Sequence, residues 1–309
     1  MLRYYKTAET GELLERGAPE PGCWINAVAP SVEDMHYLID TLGLEGDFVR
    51  AALDEEESSR VETDEAQTLI IIDVPIREEQ EDGTFLYITM PVAIITSKDY
   101  IVTVSLKENT IFSDFAKGMV RNINTAFKTR FLLAILLKIA TRYLQYLRQI
   151  DKLSSGIEQQ LHRSTKNKEL IQLLELEKSL VYFSTSLKAM EITLEKIMRG
   201  RVIKMYEEDQ ELLDDVMIEI KQAIEMSNIY SSILSGTMDA FASIISNNQN
   251  IVMKVLTSIT IVMAIPTIIS GIYGMNVTGI PLAEFWFPIT LTVVVMGAAA
   301  VVLWVKKMF

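Results

Sequence analysis

Apolar and polar positions divide the 309-residue chain into three regimes. Up to about residue 110, short apolar runs alternate with charged segments, as in a mixed α/β region. Residues 23–29 read as a strand ended by Pro30. Ser31 then opens a helix, with Asp34 three positions on in a capping-box arrangement. A second helix is expected from Asp47. Residues 68–75, with Leu-Ile-Ile-Ile at their centre, read as a buried strand. The β-rich runs 85–96 and 100–106 are joined by Ser97-Lys98-Asp99, which predicts a hairpin. The acidic segments 54–57 and 62–65, and the acidic loop 77–83, read as solvated surface.

Proline then disappears for the 174 residues between Pro91 and Pro266. Helix interiors reject proline, so its absence together with 3.6-residue apolar spacing predicts long helices, about 111–163 and 167–200. The apolar run 131–137 is flanked by Arg130 and Lys138. It is too short to cross a bilayer and belongs in a helical core. From about Tyr206, the positions Leu213, Met217, Ile220, Ile224, Ser227, Ser231, Leu234, Met238, Phe241 and Ile245 recur at steps of four and three. That is a heptad seam. It fits either a stalk packed against copies of itself or an amphipathic helix packed on its own domain. A helix from 206 to 273 would be roughly 100 Å long.

The third regime is almost free of charge. Residues 255–283 hold no charged side chain, Glu284 follows, and 285–305 is again uncharged. A helix needs roughly 20 apolar residues to cross hydrocarbon, so two spans are expected, 253–273 and 285–305. Their connection, 274–284, has no Lys or Arg, whereas Lys254, Lys306 and Lys307 flank the pair. The positive-inside bias therefore places both chain ends in the cytoplasm and the connection outside. The expected division is 1–110 α/β, 111–205 helical, 206–252 stalk, 253–273 first span, 274–284 external loop, 285–305 second span and 306–309 tail.

Charge narrows the function classes. The net charge is -12, and 251–309 carries three lysines and one glutamate, so the remainder stands at -14. Such a surface disfavours nucleic acid and attracts cations. Cys23 is the one cysteine, so no intrachain disulfide can form. The opening Met1-Leu2-Arg3-Tyr4-Tyr5-Lys6 lacks the apolar core of a signal peptide, and the polar part is expected in the cytoplasm. His36, His162 and Cys23 cannot build a soft-metal cluster, and no phosphate-binding loop or nucleophile elbow is present. An enzyme is not expected, nor an organic cofactor.

Carried into the first span, the three-four spacing picks out Asn250, Met253, Thr257, Thr260, Ala264, Thr267 and Gly271. One face of this helix is thus small or hydroxylated. Small residues and threonine pack membrane helices, and in a ring of helices the same face lines a pore. Further upstream, Glu207, Glu208, Asp209, Glu211, Asp214, Asp215 and Glu219 crowd together with no base between them. Glu208, Glu211, Asp215 and Glu219 share a helix face opposite Leu213, Met217 and Ile220. They form either a solvated outer face or ligands for a divalent cation, for which carboxylates suit.

Two segments carry a resemblance to a known family. Ser246-Asn247-Asn248-Gln249-Asn250-Ile251-Val252-Met253-Lys254-Val255-Leu256-Thr257 resembles the approach to the membrane in the CorA family of divalent-cation channels. Gly271-Ile272-Tyr273-Gly274-Met275-Asn276 resembles that family's exit from its first span. The close match covers about 236–309, and the layout fits the whole chain. The resemblance implies an α+β cytoplasmic domain, with a small mixed sheet and long helices, then a long stalk helix and two C-terminal transmembrane helices, assembled as a homopentameric funnel. It implies Mg²⁺ as both transported and regulatory ion, with passage of Co²⁺ or Ni²⁺ left open, and a cell membrane location. It implies ion selection at Gly274, Met275 and Asn276, where the Asn276 carbonyl would accept bonds from the ion's waters. It implies a hydrophobic constriction at Leu256 and a basic collar of Lys254, Lys306 and Lys307. Helix capping by Asn276 and headgroup anchoring by the lysines are the plainer readings. It further implies regulatory Mg²⁺ between Asp215 and a carboxylate of the neighbouring subunit, with the acidic loop 78–82 as candidate partner. The family's span usually has proline followed by Leu-Thr. Here Pro266 directly precedes Thr267, so any kink shifts. Zinc-transporting relatives typically carry Gly-Ile-Asn, from which Met275 departs. A membrane-anchored cation-binding scaffold is the other reading, and the small-residue stripe counts against it.

Overall fold

A computed structural model describes residues 1–64, 66–80, 84–163, 167–199, 202–203, 205–275, 282 and 284–306. The chain divides into two compact units, Met1–Gly236 and Thr237–Phe309.

The first unit is built on a mixed sheet of seven described strands: β1 (Leu2–Thr7), β2 (Leu13–Arg16), β3 (Trp24–Val28), β4 (Arg60–Asp64), β5 (Gln67–Glu79), β6 (Phe85–Thr96) and β7 (Ile101–Ser105). Their order across the sheet is β2-β1-β3-β7-β6-β5-β4. Only β3 and β7 run parallel; the other neighbours are antiparallel. The expected hairpin of β6 and β7 forms, with Ser97 N–H donating to the Tyr100 carbonyl (2.9 Å) across the turn.

The expected strand 68–75 is longer than its sequence suggested. It continues through Pro75 to Glu79, so 77–79 is strand rather than acidic loop, and residues 81–83 lie outside the described ones. Proline is tolerated because β4 pairs with β5 only as far as Ile71. Beyond that point β5 has a free edge, where a missing N–H costs no ladder bond. Pro91 of β6 likewise sits one residue before the pairing with β7 begins at Val92.

Helices α1 (Val32–His36) and α2 (Gly46–Ala51) cover one sheet face, with a π-helical turn at Tyr37–Thr41 extending α1. The Ser31–Asp34 capping box is present in both directions. Leu38, Phe48 and Val49 pack there on Ile25, Leu69, Ile95 and Val102. The opposite face receives α3 (Thr110–Ala116) and α4 (Lys128–Arg163). Trp24 lies 5.5 Å from the Phe131 ring and 6.0 Å from that of Phe112. Its indole N–H is not orphaned: it donates to Thr103 Oγ1 (2.9 Å), which donates to Asn26 Oδ1 (3.0 Å). As expected, Phe131, Leu132, Leu133, Ile135 and Leu136 are buried.

The single helix expected over 111–163 is corrected to two. Gly118 (φ +67°) and Asn122 (φ +58°) take left-handed conformations that a continuous helix excludes, and the chain turns between α3 and α4. No proline marks this break, which is why helical spacing hid it. α5 (Asn167–Arg199) follows the expected bounds and packs on α4 and on β6.

α6 is one helix, Glu207–Tyr273, that passes through Pro266. Within the first unit its seam is already occupied. Leu213, Val216, Ile220, Ala223 and Ser227 are almost fully buried inside one chain. Ser227 Oγ donates to the Leu180 carbonyl of α5 (3.1 Å), and Ser235 Oγ to Glu177 (2.5 Å). Of the two readings of the seam, packing on its own domain holds over 213–227, where this face meets the chain's own α5. Among the large apolar residues of α6 in this unit, Ile218, Ile229 and Ile233 are exposed.

Candidate functional site

The second unit holds the membrane portion of α6 and α7 (Trp286–Val305), both long and apolar enough to cross a bilayer. One face of α6 is covered: Ser258 is buried and Val262, Ile265, Pro266, Ile269 and Tyr273 are half-buried. At the C-terminal end of α6, α7 lies along this face. Pro266, Ile269 and Tyr273 share a cavity wall with Phe285, Pro288 and Ile289, and the Tyr273 and Phe287 rings stand 6.4 Å apart. On α7, Pro288, Thr292, Met296, Ala299 and Leu303 form the matching covered stripe at three-four spacing.

The sequence-derived stripe lies on the other side. Asn250, Met253, Thr257, Thr260, Thr267 and Gly271 are exposed, and Ala264 is half-buried. At 3.6 residues per turn this stripe centres roughly 160° from the covered face. Among the described residues, none of the second unit's covered positions other than half-buried Ala264 lies on it. Pro266 falls on the covered side, so its place next to Thr267 does not turn the stripe.

Two of the stripe's three threonine hydroxyls are committed to the helix. Thr260 Oγ1 donates to the Leu256 carbonyl (2.8 Å) and Thr267 Oγ1 to the Met263 carbonyl (3.3 Å). Each spends its one proton on the backbone, and what it turns outward is lone-pair oxygen. Leu256 is 55% exposed and adjoins the stripe.

At the end of α6, Gly274 N–H donates to the Ser270 carbonyl (2.9 Å) and Met275 N–H to that of Ile272 (3.3 Å). A Cβ at Gly274 would stand 2.9 Å from the Ser270 oxygen, closer than side chains approach, so glycine here is a steric requirement. Met275 is exposed. Asn276 lies outside the described residues, as does Lys307; Lys254 and Lys306 are exposed.

In the first unit the acidic face forms as expected. Glu208, Glu211 and Asp215 are exposed and Glu219 is half-buried, opposite buried Leu213, Met217 and Ile220. Two carboxylates of the acidic stretch 207–219 have other work. Glu208 accepts from Arg130 Nη1 (3.1 Å), a base that sequence spacing could not show. Asp209 is buried and accepts from the Tyr206 N–H (3.2 Å), capping the helix. Among the described residues no three carboxylate, histidine or cysteine side chains converge on a common point within one chain. A cation on the Glu211–Asp215 face therefore needs ligands from a second copy or from water. Glu78, in the suggested partner loop, is taken by Lys107 (2.8 Å).

These features define a membrane protein: a mixed-sheet unit with long helices, a helix running on into a first candidate span, and a second candidate span behind it. Residues 20–307 match the family model described as CorA-like Mg²⁺ transporter protein, and the chain belongs to that family. Family members are ion transporters, not enzymes. The chain is 31% identical over 279 residues to the cobalt/magnesium transport protein CorA of Methanocaldococcus jannaschii, covering 88% of this chain and 87% of that one. It is 22% identical over 311 residues to the cobalt/magnesium transport protein CorA of Thermotoga maritima, covering 98% and 86%. The complete structure of the CorA magnesium transporter from Methanocaldococcus jannaschii superposes with a TM-score of 0.81 at 25% identity, covering 99% of this chain and 96% of that one.

Proposed function

We propose that this chain forms a homopentameric channel that admits Mg²⁺ to the cytoplasm down the membrane potential. The observation that carries this reading is the uncovered stripe of α6, which faces away from α7. In a ring of such helices with α7 outside, the stripe lines the axis. Mg²⁺ gives up its waters reluctantly. A hydrated ion presents only water O–H donors, so the lining must accept. Thr260 and Thr267 suit this because their protons are already used. No fixed charge on the stripe holds the ion in place. Asn276 at the outer mouth accepts from the same waters, with Gly274 and Met275 setting its position. Leu256 narrows the path and excludes water when closed. Lys254, Lys306 and Lys307 collar the inner mouth, and both termini are cytoplasmic.

Closure is by intracellular Mg²⁺ held between subunits at Asp215, with Glu208, Glu211 and Glu219 on the same face. Bridging carboxylates across the interface relieves their repulsion and stabilises the closed ring. The relatives named as cobalt/magnesium transporters support Co²⁺ as a second permeant ion.

The test is influx of Mg²⁺ into liposomes holding the purified chain, read by an enclosed dye with an inside-negative potential. Wild type should show potential-dependent influx. Asn276→Ala should be at least about tenfold slower, the equivalent of one charge-assisted hydrogen bond. No potential-dependent influx by the wild type would overturn the reading.

A further inference from the structure

The chain is acidic overall, yet residues 115–150 contain seven Lys or Arg and no Asp or Glu. This run supplies the α3–α4 connection and nearly the first two thirds of α4. The connection is fastened to β1 by reciprocal bonds: Thr7 N–H donates to Thr125 Oγ1 (3.2 Å) and Thr125 N–H to Thr7 Oγ1 (3.1 Å). Held this way, it separates two adjoining concavities that share residues 120–124 and Arg130. The larger, about 900 Å³, lies between the connection and the β1–β2 hairpin. The smaller, about 290 Å³, runs along α4.

The smaller concavity is lined by Arg121, Arg130 and Lys138, with Asn122, Asn124 and Thr141 and no carboxylate. The larger adds Lys117 and Phe127, with Glu9 and Glu12 on the hairpin side. Positive charge there exceeds its local neutralisation. Arg130 is paired with Glu208, and Lys138 and Arg142 share the single carboxylate of Asp114 (3.1 and 2.7 Å). Lys117 and Arg121 make no ion pair among the described residues. A second observation is independent of charge. The Phe127 side chain is 63% exposed and borders the same concavity.

We propose that this concavity binds a nucleoside polyphosphate, with the phosphates on Lys117, Arg121 and Arg130 and the base against Phe127. Guanidinium groups match phosphate oxygens in a fixed fork. Cations grouped on the connection side of the concavity draw an anion to that side, away from Glu9 and Glu12 of the hairpin. An exposed aromatic ring offers any base a stacking surface. The larger concavity, about 900 Å³, is of the size that small-molecule sites occupy. Nucleoside triphosphates carry Mg²⁺ on their phosphates, so an occupied site would connect transport to the cell's bound magnesium. The site lies wholly within Met1–Gly236 and does not depend on the pore.

The test is isothermal calorimetry on the purified full chain in Mg²⁺-free buffer with chelator, titrating ATP and, separately, inorganic pyrophosphate. ATP should bind saturably with a Kd below about 1 mM. The double variant K117E/R121E, at two exposed positions, should weaken both ligands about tenfold or more. Phe127→Ala should weaken ATP about fivefold or more and leave pyrophosphate unchanged. Absence of saturable ATP binding by the wild type would overturn the proposal. So would binding that K117E/R121E leaves intact. If Phe127→Ala changes neither ligand, or changes both equally, the base assignment fails.

Discussion

Replacing Ile220 by alanine separates the two roles open to the α6 seam. Ile220 is fully buried within a single chain, two turns before Ser227 bonds to the Leu180 carbonyl of α5. Alanine removes three carbons. At roughly 0.8 kcal/mol per buried carbon the lost transfer term is about 2.4 kcal/mol. The cavity left between two helices anchored elsewhere raises the cost to about 3–4 kcal/mol. For a unit of this size that lowers the unfolding midpoint by roughly 6–16 °C. Ile233, on the same helix, is 58% exposed in one chain. Ile233→Ala should leave the protomer's own stability within about 0.5 kcal/mol. If copies meet on that exposed face, it should instead lower the assembled mass. Thermal unfolding in detergent, paired with light-scattering mass measured over a range of protein concentration, reads both effects. The reasoning fails if Ile220→Ala leaves the midpoint unchanged while reducing the particle to single chains, because the seam would then belong to the interface between copies.

Three further outcomes are expected. Asp215→Ala should raise the Mg²⁺ concentration that closes the channel, and an unchanged dependence of flux on internal Mg²⁺ would remove Asp215 from the regulatory site. Thr260→Val keeps the helix shape but deletes an acceptor oxygen; flux should fall about tenfold and Thr260→Ser should restore it, whereas equal flux in Val and Ser variants would show that the hydroxyl is not used. Burial pushes the Asp73 carboxyl up from its usual range, partly offset by its hydrogen bond with Ser186. A raised folded pKa means that stability is fully present below the unfolded pKa and is lost as pH rises through the folded one. Asp73→Asn should therefore melt higher than wild type at pH 7, with the gap shrinking toward pH 4, and a gap independent of pH would contradict the assignment.

Particular residues show where reading the chain alone succeeds. Uncharged runs of about twenty residues have few alternatives to crossing a bilayer, so α7 and the end of α6 were legible from composition. The hydroxyl stripe was legible because helix period fixes which residues share a face. Ser31 and Asp34 form their box because both partners lie within one turn. The sequence also foresaw the crowding of Glu211, Asp215 and their neighbours on one side of α6.

Long-range partners decided the rest. Whether Ile220 meets a second copy or its own α5 depends on where α5 lies, and heptad spacing is the same in both cases. The turn at Gly118 and Asn122 interrupts a helical pattern without proline, because the β1 hydroxyl of Thr7 holds Thr125 from over a hundred residues away. Pro75 sits inside β5 only because β4 ends its pairing at Ile71. The base that meets Glu208 comes from α4. Period, length and composition act between neighbours along the chain and survive any packing. Burial, ion pairing and concavity arise between segments far apart in sequence, and only the folded arrangement assigns them.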